Sequence, residues 1–246
     1  MSLRSKHHVY PDAAILRTLP SPISTETYCG IHHNKVYELA REVSQEFSLN
    51  HMRDRIEVTH QGQRAYMVLF FEAFAGHPLS IGLRSTYDKS ASLAIAGGAS
   101  VDVCSNQSIH GSDITLFRKH TKNADKEIGD LFRNAFTAST AKYEENLQWL
   151  LDLKTMEVTQ QQGLMIIGAM GATNVIEHKS VKKATEHWLQ PPFEEFDGEN
   201  NLYGVQNALT WAFHDVRPAK KLETHKRMNE FLDKRVLVKD KQLILA

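Results

Sequence analysis

The chain has 246 residues, of which 41% are hydrophobic and 24% charged. That is the balance of a globular protein rather than of a disordered, collagen-like or disulfide-stapled one. Lysine and arginine number 29, as do aspartate and glutamate, so the net charge is zero with histidine neutral, and any grip on a polyanion has to be local.

Residues 1–30 carry Pro11, Pro20 and Pro22 among Ser and Thr, which predicts an extended arm with little regular structure. Asn34 is expected to cap a helix with Val36, Leu39, Ala40, Val43 and Phe47 on one face. An antiparallel meander of about four strands follows: Arg55–His60, Ala65–Phe71, Leu79–Thr86 and Ser92–Cys104, with turns at Gln61-Gly62 and Asp88-Lys89. The pair Gly97-Gly98 inside the last strand marks a bulge or a close approach of another backbone. Asp125–Leu153 reads as one long amphipathic helix with an irregular middle, and Val158–Met170 and Val181–Leu189 as two more. The last of these stops at Pro191-Pro192. The acidic stretch Glu194–Glu199 is expected to be an exposed loop. Leu202–His214 and Pro218 to about Lys234 are helical, and Val236–Val238 and Leu243–Leu245 could be short strands. The expectation is an α+β fold: an arm (1–30), a helix plus antiparallel meander (31–122) and a helical region packed on the sheet (123–246), one domain overall.

Chemistry-bearing clusters are sparse. Cys104, His110, Asp113 and His120 are residue types that zinc accepts, but their spacing matches no established signature, and a buried cysteine with loop histidines is the better reading. Cys104 with His110 invites a nucleophilic dyad, yet a free cysteine at a strand end is more often a packing residue. No GxSxG, GxxxxGK[ST] or GxGxxG pattern is present. No catalytic residue, metal or cofactor is assigned. Two cysteines without CxxC spacing fit a reduced cytoplasmic protein. No apolar run reaches the roughly 18 residues of a membrane span, and no signal-peptide core follows the basic start.

The cations Arg84, Lys89, Arg118, Lys119 and Lys122, with His120, gather around the fourth strand with Tyr87 and Phe117 between them. Such a mix suits a single-strand groove, where cations meet the backbone and rings stack on bases. A second run, Arg217, Lys220, Lys221, Lys226, Arg227, Lys234 and Arg235, is offset by Glu223, Glu230 and Asp233 and reads as a solvated helix face.

The stretch Gly82-Leu83-Arg84-Ser85-Thr86-Tyr87-Asp88-Lys89-Ser90, then Ala96-Gly97-Gly98-Ala99-Ser100-Val101-Asp102-Val103-Cys104-Ser105-Asn106, resembles a phage- and plasmid-borne protein family of unknown function. That family reads roughly Asn-Ser-His-Asp-Gly-Ser and then Phe-Val-Cys-x-Asn-Gly. Arg118-Lys119-His120-Thr121 and Asn207-Ala208-Leu209-Thr210, with His214 after it, resemble the family's later motifs. Tyr87, Lys89 and Gln107 depart from it, standing where the family has His, Gly and Gly. The resemblance implies a mobile-element setting. The reading that follows is a cytoplasmic, nucleic-acid-associated accessory protein that binds or anneals single-stranded DNA as a homo-oligomer, away from membranes. Its proposed contacts are Arg84, Lys89, Arg118, Lys119, His120 and Lys122. The alternatives are an anti-defence protein that inhibits a host complex and an enzyme acting on nucleic acid or nucleotides.

Overall fold

The computed structural model describes residues 8–73, 77–99, 115–118, 124–191 and 200–236. It is an α+β fold built on a six-stranded antiparallel sheet whose strands lie side by side in chain order. They are β1 (His8–Tyr10), β2 (His51–Thr59), β3 (Arg64–Phe71), β4 (Leu79–Thr86), β5 (Leu93–Ala99) and β6 (Thr115–Arg118). The meander is thus longer than the sequence indicates by a strand at each edge. β1 is three residues taken from the arm, and pairing with β2 rather than any pattern of its own makes it a strand. The β2–β3 turn falls where expected, with His60, Gln61 and Gly62 all at positive φ.

A one-turn helix, α1 (Ile15–Thr18), and a longer one, α2 (His33–Glu46), precede β2. The cap of α2 is His32 rather than Asn34: its ring accepts the Asn34 N–H at 3.2 Å. The expected long helix is two, α3 (Ala124–Ala141) and α4 (Tyr143–Thr155). Neither Gly nor Pro marks the break. Instead the hydroxyls of Thr137, Ser139 and Thr140 bond back to carbonyls four residues earlier, a habit that loosens and bends the turn it touches. The break aims Tyr143 so that its hydroxyl donates to the His77 carbonyl. α5 (Gln160–Ala172) starts on a capping box made by Thr159 and Gln162. α6 (His178–Leu189), α7 (Leu202–Ala212) and α8 (Pro218–Phe231) follow. Val236 lies in the π-helical turn that extends α8, not in a strand. Residues 237–246, the acidic segment 194–199 and the Pro191-Pro192 junction beyond 191 fall outside the described residues.

Alternation along the strands gives the sheet two different faces. One face presents Ile56, Val58, Ala65, Met67, Leu69, Phe71, Ile81, Leu83 and Ile95 to the main core, which α2 and α3 close with Val36, Ala40, Val43, Ile128, Phe132 and Phe136. The other face carries a small separate cluster, Tyr66, Val68, Phe70, Ala94 and Ala96, joined by Leu222 of α8. Burial on both sides explains the unbroken apolar run of β3.

At Gly97-Gly98 there is no bulge, and what approaches closely is a side chain rather than another backbone. The β4–β5 register runs through both residues without a bulge, and a Cβ on Gly97 would fall on the Ser139 side chain of α3. Gly97→Ala should therefore destabilise the protein by about 1–3 kcal/mol in urea unfolding. In a double-mutant cycle, Ser139→Gly should recover more than about 0.5 kcal/mol of that loss. Additive effects would count against the contact.

Candidate functional site

The face beneath α8 is the unusual part of the molecule. β2 places Arg53, Arg55 and Glu57 opposite Phe70, Val68 and Tyr66 of β3, so three charged side chains share a face with two rings. Lys221 of α8 reaches down to Glu57, Nζ to carboxylate 2.6 Å, with the two side chains 2% and 0% exposed. Arg55 Nε lies 3.3 Å from the same carboxylate. Lys221 Nζ also sits 5.6 Å from the centre of the Tyr66 ring, and the Arg53 guanidinium lies 4.2 Å over Phe70. Two strands away, Arg84 donates to the Ser92 carbonyl at 3.2 Å and pairs with Glu223 of α8.

Burial sets the protonation states here. The Tyr66 hydroxyl is pushed well above its ordinary range, first by burial and then by the Glu57 charge. His225 is buried against Phe213, ring centroids 5.0 Å apart. Its imidazole is pushed down to about 3, first by burial and then by Lys221, with Glu57 acting in the opposite direction. Neither the Tyr66 hydroxyl oxygen nor His225 Nδ1 has a hydrogen-bond partner.

At the rim of this cluster the chemistry reaches solvent. Arg55 Nη1 donates to His214 Nε2 at 3.2 Å. His214 lies against the Trp211 ring with centroids 4.5 Å apart, and Trp211 meets His187 of α6 edge-on at 5.0 Å. All three rings are half-buried. Burial and the neighbouring Lys183 hold the His187 imidazole below its ordinary value, against the opposing pull of Glu186. The result is a platform of rings with cations at both ends, a combination that accepts a base on the ring and a phosphate beside it.

Of the residues singled out from sequence as nucleic-acid contacts, Arg84, Lys89 and the strand position of Arg118 are described. Arg84 is 3% exposed, because β4 is covered on both faces, and its charge is matched by Glu223 rather than presented to solvent. Lys89 is exposed in the β4–β5 turn, its amine 4.8 Å over the Tyr28 ring. Tyr87 is no open stacking ring; it stacks on His33 at 3.7 Å, and its hydroxyl accepts the His33 N–H. Arg118 ends β6 opposite Leu93. Lys119, His120 and Lys122 lie outside the described residues, as do Cys104, His110 and Asp113. Among the described residues, no three His, Cys, Asp or Glu side chains converge as metal ligands, and no helix is long and apolar enough to cross a membrane. In the second basic run Lys221 is fully buried, whereas Lys220 and Lys226 make the exposed pairs expected of a helix face, with Glu177 and Glu230.

One serine–histidine pair does form, but not where a nucleophile is useful. Ser85 Oγ lies 2.8 Å from His33 Nδ1, and His33 Nε2 lies 3.1 Å from the Gly62 carbonyl. Both residues are fully buried, so the pair clamps the start of α2 to the β2–β3 turn. Sequence reasoning missed Arg55, His187 and Trp211. The Trp211–His214 spacing of three on a helix was a legible signal, but His187 comes from another helix. No family model, curated protein or solved structure matches the chain.

Two outcomes follow for the buried charges. Glu57→Gln leaves Lys221 and Arg55 facing each other without a carboxylate and should cost about 3–5 kcal/mol of stability. Glu223→Gln, at a side chain 41% exposed, should cost about 1 kcal/mol or less by the same urea titration. Equal losses would contradict this ranking. His225 binds its proton only below about pH 3 in the folded chain but near pH 6.5 when unfolded. The unfolded state therefore takes up more protons between those values, and stability falls by about 1.4 kcal/mol per unit as pH drops through that window. In His225→Leu the slope of stability against pH between pH 6 and pH 4 should be shallower by about that amount. An unchanged slope would show that the ring is not held neutral.

Proposed function

We propose that this is a nucleic-acid-associated accessory protein of a phage or plasmid, and that it binds single-stranded DNA. The ring platform of His187, Trp211 and His214, flanked by Arg55 and Lys183, carries the reading. With a net charge of zero, the chain has no general attraction for a polyanion. Binding depends on a local site where a base gains stacking energy and phosphate meets a fixed cation. A tryptophan ring accepts any base, so the expected preference is for unpaired strands over duplex and is nearly independent of sequence. Arg84, named from sequence as a contact, does not belong to the exposed surface. Arg55 takes its place as the cation nearest the rings.

Fluorescence anisotropy with labelled single-stranded and duplex DNA, from about 50 to about 300 mM salt, tests the reading. Wild-type protein should prefer the single strand and lose affinity as salt rises. Trp211→Ala should weaken binding about 10-fold, as expected for one stacked base. Failure to bind at the lowest salt, or a Trp211→Ala protein that binds as tightly as wild type, would overturn it.

A further inference from the structure

We infer that the sheet face beneath α8 is itself a single-strand nucleic-acid surface, extending the ring platform inward, and that α8 is the helix that covers it. The inference rests on the proposed function and names the rest of its binding surface. The composition of the face is the first argument. The opposite face is predominantly apolar, Phe71 included, as a permanently buried sheet face should be. This one holds Arg53, Arg55 and Arg84 together with the rings of Tyr66 and Phe70, on a floor kept flat by Gly82, Ala94, Ala96 and Gly98. Cations and rings alternating with small residues on a sheet are what unpaired bases and their phosphates recognise. Glu57 is the exception in charge, and Arg55 at 3.3 Å offsets it.

The way α8 is attached is the second argument. Leu222 is its one residue in the apolar cluster of that face. α8 also sends Met228 and Phe231 into the main core, while its remaining contacts onto the strands beneath it include the ionic pairs Lys221 on Glu57 and Glu223 on Arg84. The Glu223 carboxylate on the Arg84 guanidinium occupies the place a phosphate would take, since both are oxyanions that arginine binds through charge-assisted hydrogen bonds. Its side chain is 41% exposed whereas that of Arg84 is 4% exposed, so a polyanion replaces Glu223 on Arg84 only as α8 moves aside. The closed arrangement also leaves the Tyr66 hydroxyl and His225 Nδ1 unpaired in the interior, which an optimised permanent interface avoids.

Continuity is the third. Arg55 belongs to this face and at the same time donates to His214 of the platform. A strand stacked on Trp211 therefore already lies at the edge of α8, next to the surface that the helix covers.

Hydrogen–deuterium exchange on the full-length chain, with and without a saturating thymidine oligonucleotide of about 20 nucleotides, tests this directly. Amides of 218–231 should exchange at least about 10-fold faster with the oligonucleotide bound, while those of β3 and β4 stay protected. Glu223→Gln, which loosens the cover, should bind the oligonucleotide about 3- to 10-fold more tightly. Glu230→Gln makes the same change of charge on the same helix, at a carboxylate that pairs with Lys226, and should bind like wild type. Bound oligonucleotide with α8 amides unchanged or slowed, or equal affinities for the two variants, would overturn the cover and leave the platform standing. No binding by any of the three proteins would overturn both.

Discussion

Lys221 and Glu57 meet at 2.6 Å in the interior, and the arrangement of that whole side of the sheet follows from keeping the pair satisfied. An ion pair out of water gains stability only if its remaining hydrogen-bonding capacity is met and the surrounding charges balance. Arg55 shares the Glu57 carboxylate and hands its other end to His214. His225, close by, stays neutral because burial, and after it the positive charge of Lys221, disfavours its protonated form. Through these links one buried contact sets the position of α8, the orientation of Arg55 and the ring platform at the rim.

The two faces of the sheet divide the work. The apolar face with α2, α3 and the helices behind them supplies most of the buried apolar side chains, and so most of the stabilisation. The other face contributes few apolar contacts and many charged ones. Electrostatic contacts of this kind add less to net stability than hydrocarbon of the same volume, but they define which helix docks and in what register. The proposed function draws on the difference, because ionic contacts can be exchanged for phosphate whereas hydrocarbon packing cannot.

Much of the fold is legible in local sequence pattern. β3 and β4 read as strands from β-branched and aromatic residues between turn signals, and Pro218 marks the start of α8. The Thr159–Gln162 capping box of α5 and the positive-φ turn after β2 are local devices of the same kind. What local pattern missed is what pairing supplies. β1 exists because β2 offers it an edge; the break between α3 and α4, by contrast, is local, at the irregular middle of the apolar pattern, where hydroxyls bond to their own helix. The site was less legible still. Arg84 looked like a surface cation because the sequence records its charge but not that α8 covers its strand.

The sequence by itself determined the α+β class, the meander order and the position of most helices, because periodicity, caps and turn residues act within a few residues of one another. The tertiary structure decided which face each strand residue points to and what lies over it. Glu57 and Lys221 are 164 residues apart, and Trp211 and His187 come from different helices. Contacts at such separations depend on how helices close over a sheet, and no spacing rule along the chain encodes that closure. The same charged residues could have formed a solvated surface; here the docking of α8 makes them a buried ionic face bordered by rings.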